Sequence, residues 1–351
     1  MKVLPDPVLK KFDDQTGLSV FQYMKMGPGR LFYDLVVVKA SFEITPDGLS
    51  SIPHPGKLCF ADVPHNSINT AASSLAQVGD VILGKPGTDI YATGMVRSKN
   101  PKLNWITSIS LESMGKYVIN YQCAVTGPRR WQYSVLSGWK LGAPEITDSV
   151  PIQYELAYGG IRADHKIDAT LWDQFSVNPS GTGFSFDGWN KNECPIGLQW
   201  ESDSLFGGYK TDSLTGFGPV ARFWEDRRKY AGTYDTLWHK QFSKNVIPDF
   251  PPDFDMRFYQ CAHPKLQTST PIRGDERLSL RGVIPIDRAS CDINLPGCAI
   301  HAFHNQTEAT FPIDTIHIDL DKNIINIIWR LQLPHSLNVG ELTLELKNKN
   351  D

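Results

Sequence analysis

A mainly β fold is what this chain predicts, a large antiparallel sandwich-like assembly with one or two short helices in its middle. Three observations carry that expectation. Runs of β-branched and aromatic residues recur at hairpin spacing between residues 18 and 145, each closed by turn-forming residues. The last hundred residues or so return to clear alternation of apolar and polar side chains, the period of a half-buried strand. Glycine and proline number 28 and 24 in 351 residues, which means many turns and few long helices.

The elements follow in order. LFYDLVVVKASFEI (31–44) is a strand that stops at Thr-Pro-Asp-Gly. There Pro46 presets φ, Asp47 caps with its side chain and Gly48 takes a positive φ. GDVILG (79–84) reads as a strand closed by GKPGTD, and TDIYATGMVRS (88–98), NWITSISLES (104–113) and GKYVINYQCAVTG (115–127) are three more. Between 150 and 250 the composition shifts to Gly, Trp, Tyr, Asn and Asp with little periodicity, and NPSGTGFSFDGWNKNECPIG (178–197) is loop by composition. Loops of that length in a compact protein are often functional. One helix is expected after Pro219, a favoured first helical residue. Val220, Phe223, Trp224, Arg227 and Tyr230 would share one face of it, and Gly232 would end it. YDTLWHKQF (234–242) reads as a second short helix with Leu237, Trp238 and Phe242 turned inward. ERLSLRGVI (276–284), TIHIDLD (315–321) and IINIIWRLQL (324–333) are strands, the last two joined by a hairpin turn at 321–323. GELTLELKNKN (340–350) closes the chain as an edge-like strand with a lysine-rich end.

The length suits two ordinary domains or one large β-rich unit. The chain is read as a single domain over 1–351, with two lobes inside it: a β-rich 18–145, and 150–348 carrying the aromatic and glycine-rich stretches. Hydrophobic content of 41% and charged content of 21% are those of a globular protein. The net charge of −3 offers no basic excess for nucleic acid and no charged arm. No apolar run is long enough for a signal-peptide core or a membrane span. A soluble, cytoplasmic protein is expected, and its six scattered cysteines are expected to be reduced and mostly buried.

Four constellations could carry chemistry. Cys291, Cys298, His301 and His304 offer sulfur and imidazole for zinc. Their spacing matches no standard finger or ribbon, and buried cysteines with two loop histidines are the plainer reading. Asp249, Asp253 and Asp255 in PDFPPDFDMRF (248–258) could pair for acid–base work or hold calcium, though their spacing is not that of an EF-hand. The Pro251-Pro252 step instead suits a stiff loop whose aspartates cap backbone N–H groups. No Gly-x-Ser-x-Gly elbow and no phosphate loop occurs. The fourth is WEDRRKYAGTYDTLWHKQF (224–242). Its aromatic, arginine and aspartate side chains are those of binding hot spots and of sugar sites. They equally suit a core helix with Phe223, Trp224 and Trp238 inside, and with Arg227, Arg228 and Asp235 in a buried hydrogen-bonded network.

Eight stretches in order resemble one family: VVVKASFEI, DVILGKPGTDIYATG, GPRRW, YELAYGG, NPSGTGF, GFGPVARFWEDRRKYAGTYDTLW, PPDFDMRFYQCAHPKLQ and RGDERLSLRG. The resemblance is to the bacterial domain-of-unknown-function family twenty-one sixty-nine, and runs from about residue 18 to 333. Its members are similar to accessory proteins encoded between a type VI secretion spike protein of the VgrG type and a toxin. The resemblance implies a non-catalytic adaptor or chaperone that binds a toxin effector and loads it onto the spike, with no cofactor and no metal. The residues it carries over are Lys85, Pro86, Gly87, Thr88, Asp89, Tyr158, Gly159, Gly160, Asn178, Pro179, Gly181, Gly183 and Phe184. In the long aromatic stretch they are Trp224, Arg227, Gly232, Thr233, Tyr234, Asp235 and Trp238, and beyond it Asp253, Phe254 and Asp255. The chain departs from the family's Gly-Asp-Arg pattern at GPRRW, where Pro128 stands in place of the acid. A motif shared beside varied toxins suits the fold or the common spike, which leaves toxin specificity to the loops 160–176 and 185–215. The rival reading is an enzyme acting on carbohydrate or cell-wall material through Asp235, Asp253 or Asp255, with tryptophan stacking on the sugar.

Overall fold

The computed structural model describes residues 18–45, 48–53, 56–70, 73–163, 172–183, 199–201, 213–244, 249–285, 290–296, 298–304, 307–335 and 343–348. The proposed specificity loops lie largely outside these residues, as does Phe184. The strands that build the interior are, in chain order, β1 (Leu18–Met26), β2 (Phe32–Thr45), β3 (Gly48–Ser51), β4 (Asp89–Thr93), β5 (Met95–Lys102), β6 (Asn104–Ser113), β7 (Lys116–Thr126), β8 (Trp200–Glu201), β9 (Arg277–Arg281), β10 (Cys291–Asn294), β11 (Ile313–Asp319) and β12 (Ile324–Pro334).

All but β5, which pairs with Thr147–Pro151, form two sheets. The first has the order β1-β2-β12-β11-β4, with β3 also paired to β2, and only β11 and β4 run parallel. The second has the order β8-β7-β6-β9-β10 and is antiparallel throughout. Alternation decides what each face buries. Val36, Val38 and Ala40 of β2, with Ile316, Ile318, Ile325 and Ile327, meet Ile109, Leu111, Tyr121, Cys123, Leu278 and Leu280 of the second sheet in one apolar interior. Each such side chain contributes roughly 1.5–3 kcal/mol on burial, so this shared interior holds the sheets face to face. The first sheet joins strands from both ends of the chain, with β2 paired to β12 from Tyr33↔Pro334 to Glu43↔Ile324.

β2 is buried on its other face too. Leu35 packs there with Ile82, Leu83 and Tyr259, flanked by Phe250, Phe254 and Phe258. The segment expected as a strand at 79–84 therefore is not one. It runs as bends, with Ile82 and Leu83 driven into this second core and Asp80 accepting from Cys59 N at 2.8 Å. The strand expected at 88–98 is two, β4 and β5, broken at Gly94. The hairpin turn at 321–323 joins β11 and β12, with Asn323 at φ 57. The closing strand, Thr343–Asn348, is the edge of a small sheet beside Cys298–His304.

The expected helix after Pro219 shrinks to α1 (Glu225–Arg228). Its neighbouring N–H groups are taken elsewhere: Val220 N donates to Cys261 O at 2.7 Å and Glu225 N to Ser176 O at 3.0 Å. Of the shared face, Val220, Trp224 and Arg227 are buried, but Phe223 is exposed, and Arg228 and Asp235 join no buried network. The second helix exists as α2 (Thr236–Phe242). Leu237 and Phe242, expected inward, face solvent, because nothing among the described residues packs over that side of the helix.

Candidate functional site

The glycine-rich stretches interlock first. Asn178 is fully buried and its amide donates to Tyr154 O at 2.9 Å and Tyr158 O at 3.1 Å. Its backbone oxygen accepts from Gly160 N at 2.9 Å. Gly159, at φ +154, lies so close that a Cβ there would sit 2.1 Å from Asn178 O. Pro179 is buried beside it, and Tyr158 packs edge-on against Phe175 at 5.3 Å. Short parallel pairing of Tyr158–Gly159 with Thr182–Gly183 completes the clasp. Tyr158, Gly159, Gly160, Asn178 and Pro179 thus hold chain to chain and present no open chemistry.

The inner half of the long aromatic stretch is scaffold as well. Trp224 is fully buried and meets Tyr154 edge-on at 5.4 Å. Arg227 is a buried cation neutralised by carbonyl dipoles: Nη1 donates to Val220 O at 2.8 Å, and Nε and Nη2 donate to Phe258 O at 3.0 and 2.9 Å. Burial lowers its pKa. The Lys85 to Asp89 motif is a second buried device. Lys85 Nζ lies 2.7 Å from Asp89 Oδ2 and donates to Thr315 Oγ1 at 2.6 Å. Burial alone would lower the Lys85 pKa, but Asp89, Cys261 and Asp314 together outweigh it, so the pKa is raised and the ammonium stays charged. Cys261 N donates to the same carboxylate at 2.6 Å, and burial pushes the Cys261 thiol up to about 12, so it stays protonated.

The outer half faces solvent. Gly232 turns the chain against Pro251. Thr233 then clamps Asp253, its N–H donating to Oδ1 at 2.8 Å and its hydroxyl to Oδ2 at 2.6 Å. Those two bonds lower the Asp253 pKa. Asp235 caps α2, accepting from Trp238 N at 2.8 Å. Asp255 accepts from Arg257 N at 2.8 Å and from its guanidinium at 2.9 and 2.6 Å, which lowers its pKa. Arg257 in turn lies 4.3 Å over the Tyr230 ring. Phe254 stacks into the second core, 4.5 Å from Phe250. Trp238 is half-buried, with Nε1 donating to Asp249 O at 2.9 Å and Tyr234 edge-on at 4.7 Å.

What remains open is an apolar ridge. Tyr234, Leu237 and Phe242 are 49%, 67% and 47% exposed, and Phe242 lies 5.1 Å from Trp238. Sequence reasoning placed Leu237 and Phe242 inside with Trp238, but the two lie five residues apart, about 140° around the helix, and only Trp238 finds a covering surface. The structure brings Thr233, Asp253 and the helix cap together, and keeps Trp224 and Arg227 behind them. The three aspartates all secure turns or caps. The cysteine–histidine group gains no support: Cys298, His301 and His304 have side chains outside the description, and no metal-binding cluster occurs among the described residues. At GPRRW, Arg129 pairs with the buried Glu201. No helix among the described residues is long and apolar enough to cross a membrane.

The model of a family described as an uncharacterized protein conserved in bacteria, DUF2169, matches residues 32–330. No curated protein and no solved structure matches the chain.

Proposed function

The chain belongs to the DUF2169 family of uncharacterized bacterial proteins, and on that premise we propose that it is a non-catalytic adaptor that binds a type VI secretion toxin and loads it onto the spike. The observation that carries this reading is the ridge of Tyr234, Leu237 and Phe242, held out to solvent by a cap, a clamp and a buried tryptophan–arginine pair. Exposed aromatic and aliphatic side chains on a stiff support are what a partner buries at the centre of an interface. The carboxylates beside the ridge support the same reading. Asp253 and Asp255 are held below the usual carboxylate range, whereas a general acid needs a raised pKa. The partner class, toxin and spike, comes from the family resemblance.

The test is co-expression of the tagged chain with the products of the genes on either side, followed by size-exclusion chromatography. A complex with a toxin or spike is expected. The triple variant Tyr234→Ser, Leu237→Ser, Phe242→Ser should elute alone with an unchanged melting temperature. Failure of wild type to hold either neighbour, or a triple variant that binds as wild type does, overturns the reading.

A further inference from the structure

A second surface lies well away from α2 in the sequence and has a different chemistry. A cleft of about 470 Å³ opens between β5, the start of β6 and the turn after β9. Arg97, Lys99, Lys102 and Arg281 line it around a floor of Trp105 and Ile106, and its described lining holds four cations and no carboxylate. The whole chain carries a net charge of −3, so this concentration of positive charge runs against the balance of the molecule. Lys102 and Arg281 have no ion-pair partner among the described residues. Arg97 has one exposed contact, 3.4 Å to Asp321, which a competing carboxylate in solvent displaces at little cost.

The cleft is built, not incidental. Arg97 N donates to Val283 O at 3.0 Å, and Trp105 Nε1 donates to Gly282 O at 2.9 Å. Gly282 has φ +60, and a Cβ on it would lie 2.5 Å from Ile106 O. The turn is therefore tied to β5 by the first bond, and pressed onto β6 by the second and by a close approach only glycine permits. Arg281, one residue before it, is fixed opposite β5. β5 is irregular here: Arg97 pairs with Ser149 but Lys102 with Thr147, so Lys99 lies in the stretch between those two pairs.

We propose that this cleft binds an extended acidic segment of a partner protein. Such a segment sets its carboxylates against the four cations of the lining, Arg97, Lys99, Lys102 and Arg281. Its intervening apolar side chains meet Ile106, which is 43% exposed. A single-stranded nucleic acid would need aromatic faces for its bases. The one ring in the lining, Trp105, is 7% exposed and already bonded to Gly282. The inference goes beyond the adaptor reading and stands without it, since the cleft shares no residue with the ridge.

The test is fluorescence anisotropy on the full chain with a labelled peptide of alternating glutamate and valine. Controls are a lysine–valine peptide, an oligothymidine of equal charge and inorganic phosphate as competitor. Saturable binding of the glutamate peptide is expected, weakening by about tenfold or more between low and physiological salt. The exposed double variant Lys102→Glu, Arg281→Glu should lose it with an unchanged melting temperature, whereas the Tyr234, Leu237, Phe242 variant should keep it. Equal binding of the lysine peptide, tighter binding of oligothymidine, full displacement by millimolar phosphate, or an undiminished double variant each overturns the proposal.

Discussion

Asn178 shows how much one residue can hold. Its amide donates to two carbonyls and its backbone carbonyl accepts from Gly160, all within a site where the side chain is 0% exposed. Asn178→Ala would take both bonds away, although Tyr154 O keeps the one it accepts from Ala157 N at 3.1 Å. A loss of about 1–3 kcal/mol is expected, read from urea unfolding. A loss below 1 kcal/mol would show that neighbouring donors take over. The composition of NPSGTGF marked this place as loop, and that holds for the backbone of 178–181, whereas Thr182–Gly183 pairs with Tyr158–Gly159. Its role as a clasp was not legible, because the partners, Tyr154 and Tyr158, lie 24 and 20 residues away. Arg227 was more readable. Its spacing from Val220, Phe223 and Trp224 put it on a buried face, which it occupies, while Phe223 escapes because the helix is only one turn long.

At the scale of elements, α2 is the informative case. A helix of seven residues does not hold itself together by propensity. Its order comes from the Asp235 cap, the Trp238 indole on Asp249 O and the Thr233–Asp253 clamp before it. Asp235→Ala removes the cap at a cost of about 1 kcal/mol, and Asp235→Ser, also a good cap, restores most of it. If the ridge is the docking surface, the alanine variant loses partner affinity in the co-elution assay while its urea midpoint falls only by what ~1 kcal/mol accounts for, and the serine variant recovers most of both. Equal affinity for all three would separate the helix from binding. β6 and β7 were legible because one buried face enforces alternation, and β2, β11 and β12 because strands buried on both faces read as β-branched runs. GDVILG was misread for the same reason. Its Ile82 and Leu83 are buried by the outer face of the first sheet, and apolar content alone does not distinguish that from pairing.

The whole molecule is tied by charges that no local motif announces. Lys85 reaches Thr315, Thr315 donates to Asp314 at 2.9 Å, and Arg330 Nε donates to Asp314 at 2.6 Å while Nη1 donates to Asp80 O at 2.7 Å. These groups come from opposite ends of the chain and meet only because β2, β11, β12 and β4 share a sheet. Arg330→Met strands the Asp314 carboxylate in the interior and should cost about 3–5 kcal/mol by urea unfolding, far more than loss of an exposed pair such as Arg97–Asp321. The same interior sets the acid limit of the protein. His263 stacks on Tyr121 at 4.2 Å with Nε2 on Leu214 O, and His317 stacks on Tyr91 at 4.8 Å with Nε2 on Thr93 Oγ1. Burial lowers both pKa values to about 4. The unfolded chain titrates its histidines near 6.5, so between those values it binds more protons than the folded one. Their contribution is complete above pH 6.5 and is lost as pH falls toward 4, roughly 3 kcal/mol apiece. Lys85 is raised and stays charged throughout that window, so it does not offset the loss. The urea midpoint should therefore fall steeply between pH 6.5 and 4.5 and be level from 6.5 to 8. A midpoint as high at pH 4.5 as at pH 7 would mean that both imidazoles take up protons in the folded state, and that the interior around β11 and the 261–267 turn is wetter than its packing implies.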